Sequence, residues 1–168
     1  MTQVSCFPPI ETRDARMLIL GSMPGKESLR AHQYYAHPRN AFWGIAGALT
    51  GAAPDLSYAL RTDMLKSAGI ALWDVLASCN RPGSLDSDID AQSIHANDFV
   101  SFFMSHPGIT RVFFNGAMAE KCYRKYVLPS VESLHLSYMR LPSTSPAHAA
   151  LSFAQKLEAW RVAIDAER

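Results

Sequence analysis

Short hydrophobic runs alternate with segments of helical spacing along this chain. The hydrophobic runs predict four strands, at about residues 16–21, 70–73, 112–114 and 136–141. Between the strands, apolar residues at helical spacing predict helices at 41–50, 57–68, 98–106 and 117–127, and a last helix carries Phe153, Leu157, Trp160 and Ile164. The alternation indicates an α/β fold of three layers, α/β/α, in which helices cover both faces of a central, mainly parallel four-stranded sheet.

Two segments lack this alternation. Residues 1–15, which include Pro8 and Pro9, are predicted to be an irregular lead-in. The polar segment 78–96 is predicted to be a long surface loop, and loops of that length are often functional. The sequence contains no internal repeat or linker, so we expect residues 1–168 to form a single domain.

Composition narrows the class of protein. Hydrophobic residues make up 48% of the chain and charged residues 18%, which is ordinary for a globular protein. No apolar run approaches a membrane span and the N-terminus lacks the hydrophobic region of a signal peptide, so we expect a cytoplasmic protein without a membrane partner. The net charge of +1 means that any nucleic-acid contact is local. The basic candidates are Lys26, Arg30, His32, His37 and Arg39.

Neither a metal ion nor a cofactor is expected. The three cysteines lie far apart and lack C-x-x-C spacing, which argues against an iron-sulfur cluster, a zinc site and a disulfide framework. The six histidines form no H-E-x-x-H pattern. The acidic run at 86–90 begins like a calcium loop but lacks its glycine and final glutamate.

Candidate chemistry follows the ends of the predicted strands. The loops at 21–25 (GSMPG), 114–116 (FNG) and 141–146 (LPSTSP) each come directly after a strand. Ligands bind parallel sheets outside the carboxyl ends of the strands, so these loops are expected to meet at one edge. Gly21 and Gly25 allow the backbone to approach a flat ligand closely, because neither carries a Cβ. The first loop is followed by Tyr34, Tyr35, His37, Arg39 and Asn40.

Three motifs in this order resemble the uracil-DNA glycosylase superfamily, and most of all its hypoxanthine (deoxyinosine) branch, often called family 6. They are GSMPG at 21–25, AHPRNAFW at 36–43 and PSTSP at 142–146, and the resemblance spans nearly the whole chain. It implies a monofunctional, hydrolytic DNA glycosylase of base excision repair, which flips a deaminated base out of DNA and hydrolyses its N-glycosidic bond. The implied base is hypoxanthine, with uracil as a further substrate. The implied partner is single- or double-stranded DNA, and the protein is expected to be a monomer.

The resemblance also implies roles for individual residues. Asn40 matches the catalytic asparagine of the deoxyinosine branch and would orient a water molecule at the sugar carbon. Its alternative role is to cap the following helix, and both roles can hold at once. Tyr35 would stack on the flipped base, unless it is a half-buried loop tyrosine. Backbone N–H groups and Asn115 would hold the polar edge of the base. The expected base-binding residues are Gly21, Ser22, Met23, Pro24, Gly25, Tyr35 and Asn115.

DNA contacts are expected from His37, Arg39, Ser143, Ser145 and His148. Ser145 as a helix N-cap, with Pro146 as the first helical residue, would present free N–H groups to a phosphate. Ordinary helix capping is the alternative for Ser145, and a solvent-facing histidine in the first turn is the alternative for His148.

Some positions depart from the pattern of the superfamily. Met23 stands where many relatives carry a catalytic aspartate or asparagine, and methionine cannot activate water. Ser143 and Ala147 replace the histidine or asparagine and the leucine wedge of the common uracil enzymes. Asp63 and Asp74 are further possible acids, although solvated carboxylates at element ends are common. Two alternatives stay open: a mismatch-specific uracil or thymine glycosylase, and a non-catalytic DNA- or nucleotide-binding module.

Overall fold

The computed structural model describes residues 2–166, and within them the chain forms seven strands and seven helices. The strands are β1 (Gln3–Ser5), β2 (Met17–Gly21), β3 (Ile70–Asp74), β4 (Leu76–Asn80), β5 (His95–Ala96), β6 (Arg111–Asn115) and β7 (Ser137–Leu141). The helices are α1 (Lys26–Ala31), α2 (Phe42–Thr50), α3 (Tyr58–Ser67), α4 (Phe99–Ser105), α5 (Ala117–Tyr126), α6 (Leu128–Val131) and α7 (Phe153–Asp165). No helix among these residues is long and apolar enough to cross a membrane.

The central sheet has four strands in the order β3-β2-β6-β7, and every neighbouring pair is parallel. The strand β2 is buried along its whole length, as its uninterrupted apolar sequence requires of a sheet covered on both faces. The four predicted strands are therefore confirmed, each to within one or two residues.

Side chains that alternate along the strands divide the hydrophobic core into two layers. One face of the sheet packs against α4 and α5 through Leu18, Leu20, Val112, Phe114, Phe99, Phe102, Cys122 and Tyr123. The opposite face packs against α2, α3 and α7 through Met17, Ile19, Phe113, Phe42, Ile45, Leu65, Trp160 and Ile164. This arrangement confirms the predicted three-layer α/β/α fold.

The two segments predicted to be irregular contribute to a second, smaller sheet. In this three-stranded sheet, β4 pairs with β1 on one side and β5 on the other, and both pairs are antiparallel. Ile10 also forms an isolated bridge to Leu72 of β3. The lead-in prediction for residues 1–15 and the loop prediction for 78–96 are thus wrong in part. Their strands are only two to five residues long, too short for periodicity to reveal them.

Two predicted helix starts are also wrong. Asp98, which was predicted to be the first residue of the helix at 98–106, instead caps α4, because its carboxylate accepts from the Ser101 N–H at 3.0 Å. The C-terminal helix α7 begins at Phe153 after a capping box formed by Ser152 and Gln155, so Ser145 and Pro146 lie in a loop before it. Phe153 is 48% exposed although its spacing predicted a core position.

The order of the strands places a crevice between β2 and β6. The chain leaves β2 toward β3 through helices on one face and leaves β6 toward β7 through α5 on the other face. Adjacent strands whose connections diverge in this way form the switch point at which parallel sheets bind ligands.

Candidate active site

A cleft of about 780 Å³ opens at this switch point. The predicted site residues that line it are Gly21, Ser22, Met23, Pro24, Gly25, Tyr35, His37, Asn40, Asn115, Ser143, Ser145 and His148. Arg39 lines a neighbouring groove instead. The three loops that follow β2, β6 and β7 therefore meet at one edge, as the sequence predicted.

The loop after β2 is held by hydrogen bonds to the residues directly after β3 and to the loop after β4. The carbonyls of Gly21 and Ser22 accept from the N–H groups of Val75 and Leu76 at 2.9 and 3.2 Å. The Ser22 hydroxyl donates to the Asp86 carboxylate at 2.5 Å. These contacts fix the position of the loop before any ligand binds.

Gly21 is required at its position by close packing. A Cβ added to it would lie 2.6 Å from Oδ1 of Asp74 and 2.9 Å from the hydroxyl of Tyr35. Its missing side chain thus makes room for two polar groups at the floor of the cleft. Met23, by contrast, is buried in the hydrophobic core on the α4 and α5 side, although it also borders the cleft.

Tyr35 forms an aromatic wall of the cleft. Its ring stacks on Phe42 with centroids 4.3 Å apart, so a base can stack only on the face that Phe42 leaves free. Its φ of 54° is in the left-handed region that bulky residues rarely adopt. Burial and the nearby Asp74 raise the pKa of Tyr35, so its hydroxyl is neutral. The Asn115 side chain acts in the opposite direction and lowers the pKa of Tyr35. The Tyr35 hydroxyl makes no hydrogen bond of ordinary geometry to any of the described residues.

Asn40 lies in the turn before α2. Its N–H donates to the His37 carbonyl at 2.9 Å, and its Oδ1 accepts from the Phe42 N–H at 2.9 Å. The helix α2 begins at Phe42 with Ala41 at its N-cap position, one residue later than predicted. Asn40 therefore lies one position before the N-cap, from which its side chain still caps the helix. Oδ1 retains a second lone pair and Nδ2 carries two hydrogens, so capping leaves the amide able to hold a water molecule in the cleft.

Asn115, at the end of β6, is joined to the loop after β7 by a reciprocal pair of hydrogen bonds. Its Nδ2 donates to Oγ1 of Thr144, and its Oδ1 accepts from the Thr144 N–H, both at 2.9 Å. The Thr144 carbonyl accepts from the Ala41 N–H at 3.0 Å. Thr144 is 1% exposed and was not predicted, although it lies inside the PSTSP motif. Asn115 therefore positions this loop as well as bordering the cleft.

Replacing Thr144 with valine is expected to lower the free energy of unfolding by about 1–2 kcal/mol, because the Asn115 amide loses its acceptor while the packing volume is kept. Urea denaturation measures this change. The exposed Thr110→Val is the matched control and should change stability little. Equal stabilities of the two variants would contradict a structural role for the hydrogen bond.

The loop after β7 ends in a turn at Ser145, where a helix was predicted. The Ser145 hydroxyl accepts from the Ala147 N–H at 3.2 Å, and its carbonyl accepts from the His148 N–H at 3.0 Å. Because α7 starts only at Phe153, the predicted helix N-terminus for phosphate binding at Ser145 and Pro146 is absent from this loop. Ser145 and His148 nevertheless border the cleft.

A groove of about 700 Å³ adjoins the cleft and shares Tyr35, His37, Asn40 and His148 with it. Among the described residues, those that line it include no carboxylate. Its basic residues are His37, Arg39, Arg61, His148 and Lys156. The Arg61 guanidinium lies 4.6 Å from the centroid of the Trp43 ring. Burial lowers the pKa of Lys156, whose ammonium group lies 3.4 Å from the Ser145 carbonyl. The groove is thus positively charged.

Three charged residues beneath the first loop were not among the predicted site residues. The sequence left Asp74 as either a possible acid or a solvated carboxylate; it is 3% exposed and borders the cleft. Asp86 borders it too, and Arg81 is 1% exposed. Asp74 ends β3 as Asn115 ends β6, so the rule that located Asn115 would have located Asp74. Within residues 2–166, no group of three or more histidine, cysteine or acidic side chains is arranged to hold a metal ion.

The protein thus has an α/β/α fold with a cleft at the switch point of its sheet. Gly21 lies at the floor of this cleft and Tyr35 forms an aromatic wall, an arrangement suited to binding a flat polar ligand. The chain matches the Uracil DNA glycosylase superfamily over residues 8–164 and belongs to that superfamily. A protein named hypoxanthine DNA glycosylase from Methanosarcina acetivorans is 35% identical over 147 residues, which cover 87% of this chain and 89% of that protein. A Methanosarcina barkeri protein of the same name is 40% identical over 111 residues, 66% of this chain and 69% of that protein.

A solved structure supports the same relationship. The solution NMR structure of a candidate uracil DNA glycosylase from Methanosarcina acetivorans has a TM-score of 0.80 to this chain at 32% identity. The similarity covers 99% of this chain and 100% of that one. The predicted fold and superfamily are therefore confirmed.

Proposed function

We propose that this protein is a monofunctional DNA glycosylase that excises hypoxanthine from deoxyinosine in DNA. The observation that carries the proposal is the cleft at the switch point, which brings Tyr35 and Asn40, from the loop before α2, together with Asn115 at the end of β6. Two relatives named hypoxanthine DNA glycosylase support hypoxanthine as the base. In this proposal the whole chain acts as one domain in base excision repair.

The base enters the cleft after it is flipped out of the duplex, a step that costs about a few kcal/mol and favours damaged or mispaired nucleotides. It stacks on the free face of Tyr35, above the floor formed at Gly21. Asn115 contributes its remaining N–H and lone pair to the base edge, while Thr144 fixes the orientation of its amide.

Hydrolysis needs a water molecule directed at the sugar carbon. Asn40 borders both the cleft and the basic groove, so it lies where a flipped nucleotide passes from one to the other. Its amide holds and orients the water, while the positive charge that develops on the sugar makes the carbon reactive without a strong base. Met23 takes no part in this step, because its side chain is packed in the core.

The DNA backbone lies along the basic groove in this proposal. His37, Arg39 and His148 contact phosphates, and Ser143 and Ser145 contribute hydroxyl groups from the loop after β7. The protein acts as a monomer in the cytoplasm. Because the net charge is only +1, its affinity for DNA depends on these few contacts and falls with rising salt.

Single-turnover excision on labelled duplexes tests the function. We expect release of hypoxanthine from a deoxyinosine duplex, leaving an abasic site that alkali cleaves. A matched duplex with deoxyuridine separates the proposed activity from that of a mismatch-type uracil glycosylase, which would release uracil alone. DNA binding without an abasic product from either duplex would contradict a catalytic role and favour a binding module.

A further inference from the structure

Asp74 supplies a buried carboxyl group at the floor of the cleft that the proposed mechanism does not use. It ends β3 beside Gly21 of β2, and the Asn97 side chain donates to its backbone carbonyl at 2.8 Å. Its residue exposure is 3%, yet it borders the cleft. Oδ2 has no hydrogen-bond partner among the described residues. A buried polar atom without a partner is rare, and a bound base would supply one.

The neighbours of Asp74 favour its neutral form. Burial raises its pKa to about 7, the Asp86 carboxylate adds to the rise, and the Arg81 guanidinium opposes it. The titratable or charged groups that act on it from the surrounding segments are Cys6, Tyr34, Tyr35, Arg81 and Asp86. Below neutral pH, Asp74 is therefore a carboxylic acid with a proton to donate.

We propose that Asp74, in its acid form, donates a proton to N7 of the departing hypoxanthine, an inference that rests on the proposed function. As the bond between C1′ and N9 breaks, its electron pair stays on the purine. The proton of Asp74 moves to N7, so the base leaves neutral and Asp74 becomes a carboxylate. Water adds to C1′, and the proton that this water releases restores the acid through solvent. Hypoxanthine and an abasic site are formed, and one water molecule is consumed.

The proposal explains why a carboxyl group lies beside a leaving base. A carboxylate would repel the negative charge that develops on the purine, whereas a carboxylic acid neutralises it. The apolar packing around β3 keeps the group protonated until it is used. Uracil has no free ring nitrogen equivalent to N7, so the same proton favours a purine over a pyrimidine.

The test is the pH dependence of single-turnover hypoxanthine excision by wild type, Asp74→Asn and the exposed control Asp63→Asn, between pH 5.5 and 8.5. Asparagine keeps the shape of the side chain but has no acidic proton. We expect Asp74→Asn to be at least tenfold slower than wild type at pH 6 and to show little pH dependence. Wild type and Asp63→Asn should lose rate roughly tenfold per pH unit above the pKa of Asp74.

Thermal unfolding of the same variants distinguishes catalysis from folding. A carboxyl group whose pKa is raised on folding destabilises the native state progressively as pH rises from its unfolded pKa to its folded pKa, so Asp74→Asn should have a higher Tm than wild type at pH 8.5 and a smaller advantage at pH 5.5. A rate for Asp74→Asn within twofold of wild type at pH 6, or an unchanged fall in rate above neutral pH, would overturn the proposal. Wild type that releases no hypoxanthine at any pH would overturn the proposed function itself.

Discussion

Replacing Asn40 with alanine is expected to slow hypoxanthine excision by on the order of a hundredfold to a thousandfold, as when a single positioned polar group is removed from an active site. The variant loses the amide that we propose to orient the attacking water, while the rest of the cleft that Asn40 borders is kept. The chemical step carries the effect, so single-turnover rates at saturating enzyme are the measurement that reports it. DNA binding should change little, because Asn40 is uncharged.

The capping contact complicates this variant, since Oδ1 of Asn40 also accepts from the Phe42 N–H. Its loss alone is expected to cost about 1 kcal/mol of stability. Asn40→Ser is the matched variant, because serine is a good capping residue but is too short to hold water in the same place. Asn40→Ser should restore the Tm lost in Asn40→Ala without restoring the rate. Full excision by either variant would exclude Asn40 as the catalytic residue.

The sequence was most informative where local signals agree with the fold. The runs that became β2, β3 and β6 are buried on both faces, so each reads as a continuous apolar stretch that ends in a loop. Parallel strands then bring their carboxyl ends to one edge without further information. This rule alone was enough to predict that the loops after β2, β6 and β7 share a cleft.

Other parts of the site depend on distant contacts that have no local signal. Arg81 lies in a polar stretch that reads as surface, yet its Nη2 donates to the Pro24 carbonyl and it is 1% exposed. Thr144 is buried because Asn115 and Ala41 bond to it from other segments. The burial of Lys156 in α7 likewise follows from the loop at Ser145, whose carbonyl it approaches. Periodicity and local motifs do not encode such pairings.

Replacing the buried Arg81 with alanine is expected to lower the free energy of unfolding by about 3–5 kcal/mol. Its Nε donates to the Gly83 carbonyl at 2.9 Å, and its Nη2 donates to that of Pro24. The variant leaves both acceptors unpaired and removes the positive charge that opposes the raised pKa of Asp74 and of Asp86. Urea denaturation at pH 5.5 and pH 8 measures the loss.

The loss of stability in Arg81→Ala should be larger at pH 8 than at pH 5.5, because Asp74 and Asp86 ionise more at the higher pH. The pKa of each is raised on folding, and the native state ionises less favourably at high pH once the positive charge of Arg81 is removed. Arg30→Ala is the control, since Arg30 is an exposed arginine whose contact with Glu27 at 3.1 Å is worth little. If Arg81→Ala and Arg30→Ala lost equally little stability, the result would contradict a role for the Arg81 guanidinium in holding the first loop beside the buried carboxyl groups. A pH-independent loss would assign its role to the carbonyls of Pro24 and Gly83 alone.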